Sequence, residues 1–325
     1  MEYLSRMRRG TRPGRVGGAV AIASILVLAA TVGADARRGP TCNGSVPTIV
    51  KGDGDNHIVG TSGDDVIFAG GGNDEIEGLA GDDIICGDAG RDTLIGGSGP
   101  DSLFGGDDND TAKGGSKADF IIGDLSGAGA VSGGDNDRLF GGKGGDDIRG
   151  DSIGDTVSGG GDDLIVGGPG EEFIVADASG STSSSGAGED EIDSGGGEDF
   201  VEADPGSNGG TVTGGAADVV DLGAGDDTVF ADAFSNGGTA TGGAGDLVIG
   251  GDGEDFIVGD AESNGGPESG GGEDDLRGGA GNDNISAGIA ADLLKGGGGL
   301  LDVCDGGVDA DTDVATGCET ETNIP

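Results

Sequence analysis

Gly87 to Phe104 reads "GDAGRDTLI GGSGPDSLF", two nine-residue blocks laid end to end. Each has glycine in its fourth place (Gly90, Gly99), aspartate in its sixth (Asp92, Asp101) and leucine in its eighth (Leu94, Leu103). The same frame divides residues 51–122 into eight contiguous blocks. The sixth place holds Asn56, Asp65, Asp74, Asp83, Asp92, Asp101, Asp110 and Asp119. The eighth holds Ile58, Ile67, Ile76, Ile85, Leu94, Leu103, Ala112 and Ile121. Glycine keeps the fourth from Gly54 to Gly99, before Asp108 and Lys117 interrupt it. Three registers sustained together mark a repeat array, in which each unit is stabilised by its neighbours.

Beyond Ile122 the spacing lengthens. The segments "IIGD", "IRGD", "IVAD", "VEAD", "VFAD" and "IVGD" end at Asp124, Asp151, Asp177, Asp204, Asp232 and Asp260, at intervals of 26 to 28 residues, close to three blocks. Two good blocks survive in most intervals, and the sixth place is read at Asp137, Asp146, Asp190, Asp199, Asp218, Asp227, Asp246, Asp255, Asp274 and Asp283. The third unit is degenerate and rich in Ser, Asn and Gly: "PGSNGGTVT", "AFSNGGTAT", "AESNGGPES". Because its length drifts, it reads as a loop inserted into one turn. A third, irregular coiled turn is the alternative.

The block "GGSGPDSLF" resembles the G-G-x-G-x-D-x-U-x nonapeptide of secreted RTX-type, hemolysin-type calcium-binding proteins. The resemblance is tight over the first third of the chain and looser to about Asp311. It implies an all-β fold, a parallel β-roll (a right-handed β-solenoid) of nonapeptide turns, here with inserted Gly/Ser/Asn loops. It implies multiple calcium ions between adjacent turns, held by the sixth-place aspartates from Asp65 to Asp283 named above. The backbone carbonyls of the glycine turns, among them Gly63, Gly70, Gly72, Gly81, Gly90, Gly97 and Gly99, would complete the ligand set.

Residue chemistry points the same way. A Gly-Gly-x-Gly turn reaches positive φ freely and can aim carbonyls at an ion. Calcium takes six to eight hard oxygens, whereas magnesium retains its waters. A fixed nine-residue spacing stacks aspartates whose repulsion a divalent ion would convert into attraction. The eighth-place aliphatics are expected to face inward as a thin spine, and their branched chains suit a strand. The competing reading, a solvated acidic face on a disordered glycine-rich polymer, fits the composition but not the triple register. No EF-hand loop is present. Asn56, Asp108, Lys117 and Glu172 depart from the pattern and are expected to weaken individual sites. Phe120, Phe173, Phe200 and Phe256 occupy outward-facing seventh places, where either the inserted loops cover them or they offer a docking stripe.

Composition sets the remaining limits. Of 325 residues 80 are glycine, and 62 acids oppose 16 bases, with no tryptophan. Such a composition predicts no conventional apolar core, and its charge repels nucleic acid while attracting cations. Residues 1–36 carry a basic start, the apolar run "AVAIASILVLAATV" and "ADA", the layout of a secretory signal. An uncleaved anchor is the alternative, although the run is short for a span. Residues 37–50 read as an N-terminal cap, 51–122 as the regular array, 123–304 as an extended array and 305–325 as a C-terminal cap. Four cysteines in an exported chain favour disulfides. Position suggests Cys42–Cys86 and Cys304–Cys318, one of three possible pairings.

No catalytic constellation is visible. The single histidine, His57, lies near no G-x-S-x-G stretch. The sequence therefore predicts a secreted, non-enzymatic calcium-binding protein that folds on binding the ion, with no nucleic-acid partner. A calcium-rigidified surface scaffold, binding a cell-surface or matrix partner through its loops or phenylalanines, is the alternative.

Overall fold

The computed structural model describes residues 41–324 except 125–129, 133, 152, 178, 205, 208–210, 233, 236–238, 261, 264–267, 270 and 308–311. The expected signal segment, parts of the "SNGG" stretches and Asp311 lie outside the described residues. Among those described, the secondary structure is entirely β, and every strand pairing is parallel. The chain coils as a parallel β-solenoid, as the nonapeptide pattern predicts. No helix of the described residues is long and apolar enough to cross a membrane.

Each regular coil is two nine-residue blocks. One block supplies a strand to a first sheet of 13 strands, from Ile49–Val50 to Thr320–Thr322; the next supplies a second sheet of 12, from His57–Val59 to Val314–Thr316. Equivalent residues therefore pair 18 apart: Ile67 with Ile85 and Ile85 with Leu103 on the first sheet, Ile76 with Leu94 and Leu94 with Ala112 on the second. Side chains alternate across a strand, so the eighth place points in while the seventh and ninth point out. Ile67, Ile76, Ile85, Leu94, Leu103 and Ile121 are all fully buried between the two sheets. Each contributes about 1.5–3 kcal/mol, a spine one side chain wide.

The pairing interval then widens. Ile121 pairs with Ile148 and Val201 with Val229, 27 and 28 residues apart. The extra residues do more than loop out. Ala130–Ser132, Ile153–Ser158, Ser179–Ser185 and the short strands Gly206–Ser207, Thr211–Thr213, Phe234–Ser235, Thr239–Thr241, Glu262–Ser263 and Glu268–Ser269 form a third sheet of nine strands. The segments expected as inserted loops thus build a third side, and the coiled alternative describes them better. Their inward residues are few and small, Val157, Val212 and Ala240 being buried. That sparseness is why the sequence reads as loop. The interval returns to 18 where Leu276 pairs with Leu294. A three-sided section is therefore flanked by two-sided ends.

Both disulfides join the expected cysteines, Cys42 with Cys86 and Cys304 with Cys318. Cys86 is a ninth-place residue, so its bridge lays the N-terminal segment over the outer face of the first sheet. There Cys42, Phe104 and Ile122 form a small apolar cluster with Phe120 beside it. The aromatic stripe continues along the same face. Phe173 stacks on Phe200 with centroids 5.2 Å apart, Phe230 follows at 5.9 Å and Phe256 at 6.2 Å. The Arg149 guanidinium lies 5.3 Å from the Phe173 ring and 6.0 Å from Phe120. The phenylalanines face outward as expected, half-buried by one another and by Arg149 rather than open.

Candidate metal centres

The sixth-place residue immediately precedes each first- or second-sheet strand, so the aspartates form one column per sheet at the two edges of the stack. All 17 expected as ligands are buried, between 1 and 6% exposed. Each is tied to the previous coil through one oxygen. The N–H of Asp65 donates to Asp83 Oδ1 (2.8 Å), Asp74 to Asp92 (2.7 Å), Asp83 to Asp101 (2.9 Å) and Asp92 to Asp110 (2.7 Å). The ladder persists across the wider coils, as from Asp110 to Asp137 (2.6 Å) and from Asp246 to Asp274 (2.9 Å).

The second oxygen is left over. Oδ2 of Asp74, Asp83, Asp92, Asp101, Asp110 and Asp119 is buried with no hydrogen-bond partner, and the same holds at Asp137, Asp190, Asp218, Asp246 and Asp274. A native structure rarely buries so many acceptors without a donor or an ion. Burial pushes several carboxyls of the columns upward, Asp92 to about 7, Asp110 to about 9 and Asp246 to about 10, against a partial offset from the backbone N–H each accepts. Neighbouring aspartates add to the rise. Such sites accept a proton or a cation.

Glycine shapes the space around these oxygens. A Cβ on first-place Gly78 would collide with Asp83 Oδ2 and lie 2.8 Å from Gly96 O; on Gly87 it would collide with Asp92 Oδ2 and lie 2.6 Å from Gly105 O. Second- and fourth-place residues take positive φ, as at Gly97 (116°) and Gly99 (135°), and pack directly on the carbonyls of the previous coil. The conformation survives where glycine does not: Leu79, Asp88, Asp108 and Lys117 hold φ of 85°, 87°, 73° and 105°.

The first coil shows which oxygens converge between two coils. Asn56 stands in a sixth place, and its amide Nδ2 donates to the carbonyls of Gly52 (3.2 Å) and Gly54 and to Asp74 Oδ1 (3.0 Å). Second- and fourth-place carbonyls and the carboxylate of the next coil thus converge on one donor. In the next block Asp65 Oδ2 accepts from the Thr61 N–H (2.6 Å) and hydroxyl (2.9 Å), and Gly63 O lies 3.2 Å from the same hydroxyl. One of the expected oxygens, Asp65 Oδ2, is thereby occupied from within the chain. The Gly97 carbonyl likewise accepts from the Ser116 hydroxyl (3.3 Å), whereas Oδ2 of the aspartates from Asp74 to Asp119 carries no donor. Among the described residues no three His, Cys, Asp or Glu side chains form a metal cage by themselves. Carbonyls must therefore supply the balance, a mixture that suits calcium.

Some members were not singled out from sequence. Asp163, Asp292, Asp302 and Asp313 continue the columns and are at most 5% exposed. Asp163 could have been found, since "SGGGDDLIV" (residues 158–166) keeps all three registers. The others follow units whose fourth-place glycine has been lost or displaced, leaving only the D-x-U remnant. Glu172 keeps its place in the column, buried to 2%, but its longer arm reaches toward Gly170, and burial raises its carboxyl to about 9.

The sequence matches the RTX calcium-binding nonapeptide repeat family over residues 52–85, 87–121, 155–179, 182–209, 212–237, 239–264 and 268–299, more than half of its length. The chain belongs to this family. Neither a search of curated proteins nor one of solved structures returned a match. As an RTX repeat protein the chain carries calcium-binding repeats, and its buried, donor-poor aspartate columns and glycine cradles fit that ion.

Proposed function

We propose that this RTX repeat protein is an exported, non-enzymatic calcium binder whose solenoid assembles as ions fill the gaps between coils. The observation that carries the reading is the convergence seen at Asn56, where two turn carbonyls and the Asp74 carboxylate surround a single hydrogen-bond donor. Along both columns the sixth place otherwise holds a carboxylate, and from Asp74 to Asp119 its Oδ2 is buried with no donor. Calcium would be held by sixth-place carboxylates, Asp83, Asp92, Asp101 and their successors, together with glycine-turn carbonyls such as those of Gly72, Gly81, Gly90, Gly97 and Gly99. Because the site spans two coils, binding energy becomes folding energy and the response is cooperative. Export accords with the signal-like residues 1–36 and the two disulfides.

The test is a calcium titration of the mature chain, with far-UV circular dichroism and bound ion measured in parallel. The expected outcome is a coil-like spectrum in chelator and a sigmoidal gain of β signal by millimolar calcium, with several ions bound per chain. A spectrum unchanged between chelator and 10 mM calcium would overturn it. A scaffold role is the second reading, favoured by the half-buried ladder from Phe173 to Phe256 on one outer face.

A further inference from the structure

The three-sided section holds a third acidic column that the nonapeptide pattern does not explain. Asp124, Asp151, Asp177, Asp204, Asp232 and Asp260 stand where the chain leaves the first sheet for the third, outside the sixth place, and are 1–4% exposed. One edge of each carboxylate closes its coil. The N–H of Gly161 donates to Asp151 Oδ2 (3.0 Å), that of Gly188 to Asp177 Oδ2 (3.1 Å) and that of Gly272 to Asp260 Oδ1 (3.0 Å).

The other edge faces along the stack. Asp124 Oδ1, Asp151 Oδ1 and Asp232 Oδ2 are buried without a hydrogen-bond partner. Successive corner carboxylates meet side chain to side chain, Asp124 with Asp151, Asp151 with Asp177, Asp204 with Asp232 and Asp232 with Asp260. Sixth-place acids crowd the same space, Asp163 against Asp151 and Asp274 against Asp260. Among the described residues the ion pairs of His57, Arg149, Arg277 and Lys295 engage none of these corner groups. Ionised carboxylates are acceptors only, so facing pairs need a proton or a cation between them. A main-chain carbonyl lies beside a corner carboxylate: a Cβ on Gly271 would collide with both Ile289 O and Asp260 Oδ2.

We infer that the corner aspartates form a second row of calcium sites, separate from the nonapeptide sites and confined to the three-sided coils. The inference rests on the reading that this solenoid binds calcium. Each site would lie between successive coils, bounded by two corner carboxylates and by main-chain carbonyls, oxygen donors of the kind calcium prefers.

The test counts calcium per chain, by equilibrium dialysis and atomic spectroscopy, in three forms of the mature protein. These are the unaltered chain, the corner variant Asp151→Asn/Asp177→Asn/Asp204→Asn, and the nonapeptide variant Asp83→Asn/Asp92→Asn/Asp101→Asn. Asparagine keeps an oxygen for the N–H that closes the coil but removes the charge. The corner variant borders four gaps and is expected to lose up to about four ions while keeping the β spectrum of the unaltered chain in saturating calcium. An unchanged ion count in the corner variant, with the nonapeptide variant depleted, overturns this inference alone. An unaltered chain that binds no calcium overturns both readings. If the triple variant does not form β structure, Asp177→Asn, bordering two gaps, is read in the same way: a loss of up to two ions supports the corner row and no loss overturns it.

Discussion

Asn56 Nδ2 lies 3.0 Å from Asp74 Oδ1, across one coil of the stack, while the same nitrogen reaches back to the turn carbonyls of Gly52 and Gly54. An amide here does with hydrogen bonds what a cation would do by coordination, at the end of the array where only one neighbouring coil is available. The first gap is thereby held without metal. Restoring the acid removes that internal donor, so Asn56→Asp is expected to add one calcium site and to weaken the calcium-free N-terminal coil. Direct ion counting checks the first effect, and hydrogen exchange of the amides of 57–59 in chelator near pH 4, where the calcium-free stack is favoured, checks the second. An unchanged ion count would mean that the Asn56 position is not a vestigial metal site.

Leu79 occupies a second-place turn position at φ 85° and is 44% exposed, so its side chain gains little from packing. The left-handed conformation costs a residue with a Cβ about 1–2 kcal/mol, which glycine does not incur. Leu79→Gly should therefore stabilise the calcium-loaded solenoid by about 1 kcal/mol, part of the gain being offset by the greater freedom of glycine in the unfolded chain. The reverse change, Gly97→Leu, combines positive φ with a Cβ driven into the Leu79 carbonyl and is expected to be strongly destabilising. Denaturant unfolding in saturating calcium measures both.

Much of this arrangement is legible in the residues. The fixed offset between Asp83 and Ile85, repeated at Asp92 and Leu94, states that a buried carboxylate precedes an inward aliphatic, and both are buried as that offset requires. The disulfides are legible because Cys42 and Cys86 bracket one end of the array and Cys304 and Cys318 the other. The third sheet is not legible as sheet. Strands such as Thr211–Thr213 and Thr239–Thr241 carry one buried apolar residue each, Val212 and Ala240, too few to show a period of two. The corner column hid in plain view for a related reason. Asp124 and Asp151 are regular in spacing, but their burial comes from the closing of a third side that no local pattern announces.

Acid should stand in for calcium. In the metal-free solenoid burial raises Asp101 and Asp255 to about 6, Asp92 and Asp119 to about 7, and Asp110 and Asp274 to about 9, from 3.8 in the unfolded chain. A carboxyl raised on folding binds its proton more tightly in the folded state. Its contribution is fully present below about pH 3.8 and is lost as pH rises through the folded value. The calcium-free stack is therefore expected to be favoured near pH 4 and to fall apart progressively between about pH 6 and 9. Calcium, which needs the ionised form, should reverse the trend, with its folding midpoint moving to lower concentration as pH rises. Circular dichroism in chelator at pH 4.5 and pH 8 distinguishes the cases; β signal that is stronger at the higher pH would contradict the assignment.

The Cys42–Cys86 bridge closes 44 residues and pins the N-terminal segment over Phe104 and Ile122, which are 9 and 1% exposed. Its removal acts on both ends of the folding equilibrium. Chain-entropy reasoning assigns a loop of that size about 4 kcal/mol, and detaching the segment exposes Phe104 in addition. The Cys304–Cys318 bridge closes only 14 residues, and the same reasoning gives about 3 kcal/mol. Cys42→Ser/Cys86→Ser is therefore expected to raise the calcium concentration for half-folding more than Cys304→Ser/Cys318→Ser. The larger effect should be confined to the first coils, because the repeats beyond Phe120 keep their own neighbours. Limited proteolysis at intermediate calcium reads this directly: cleavage is expected between residues 42 and 104 in the first variant, and early cleavage spread along the whole array would show instead that the bridge supports the solenoid as one cooperative unit.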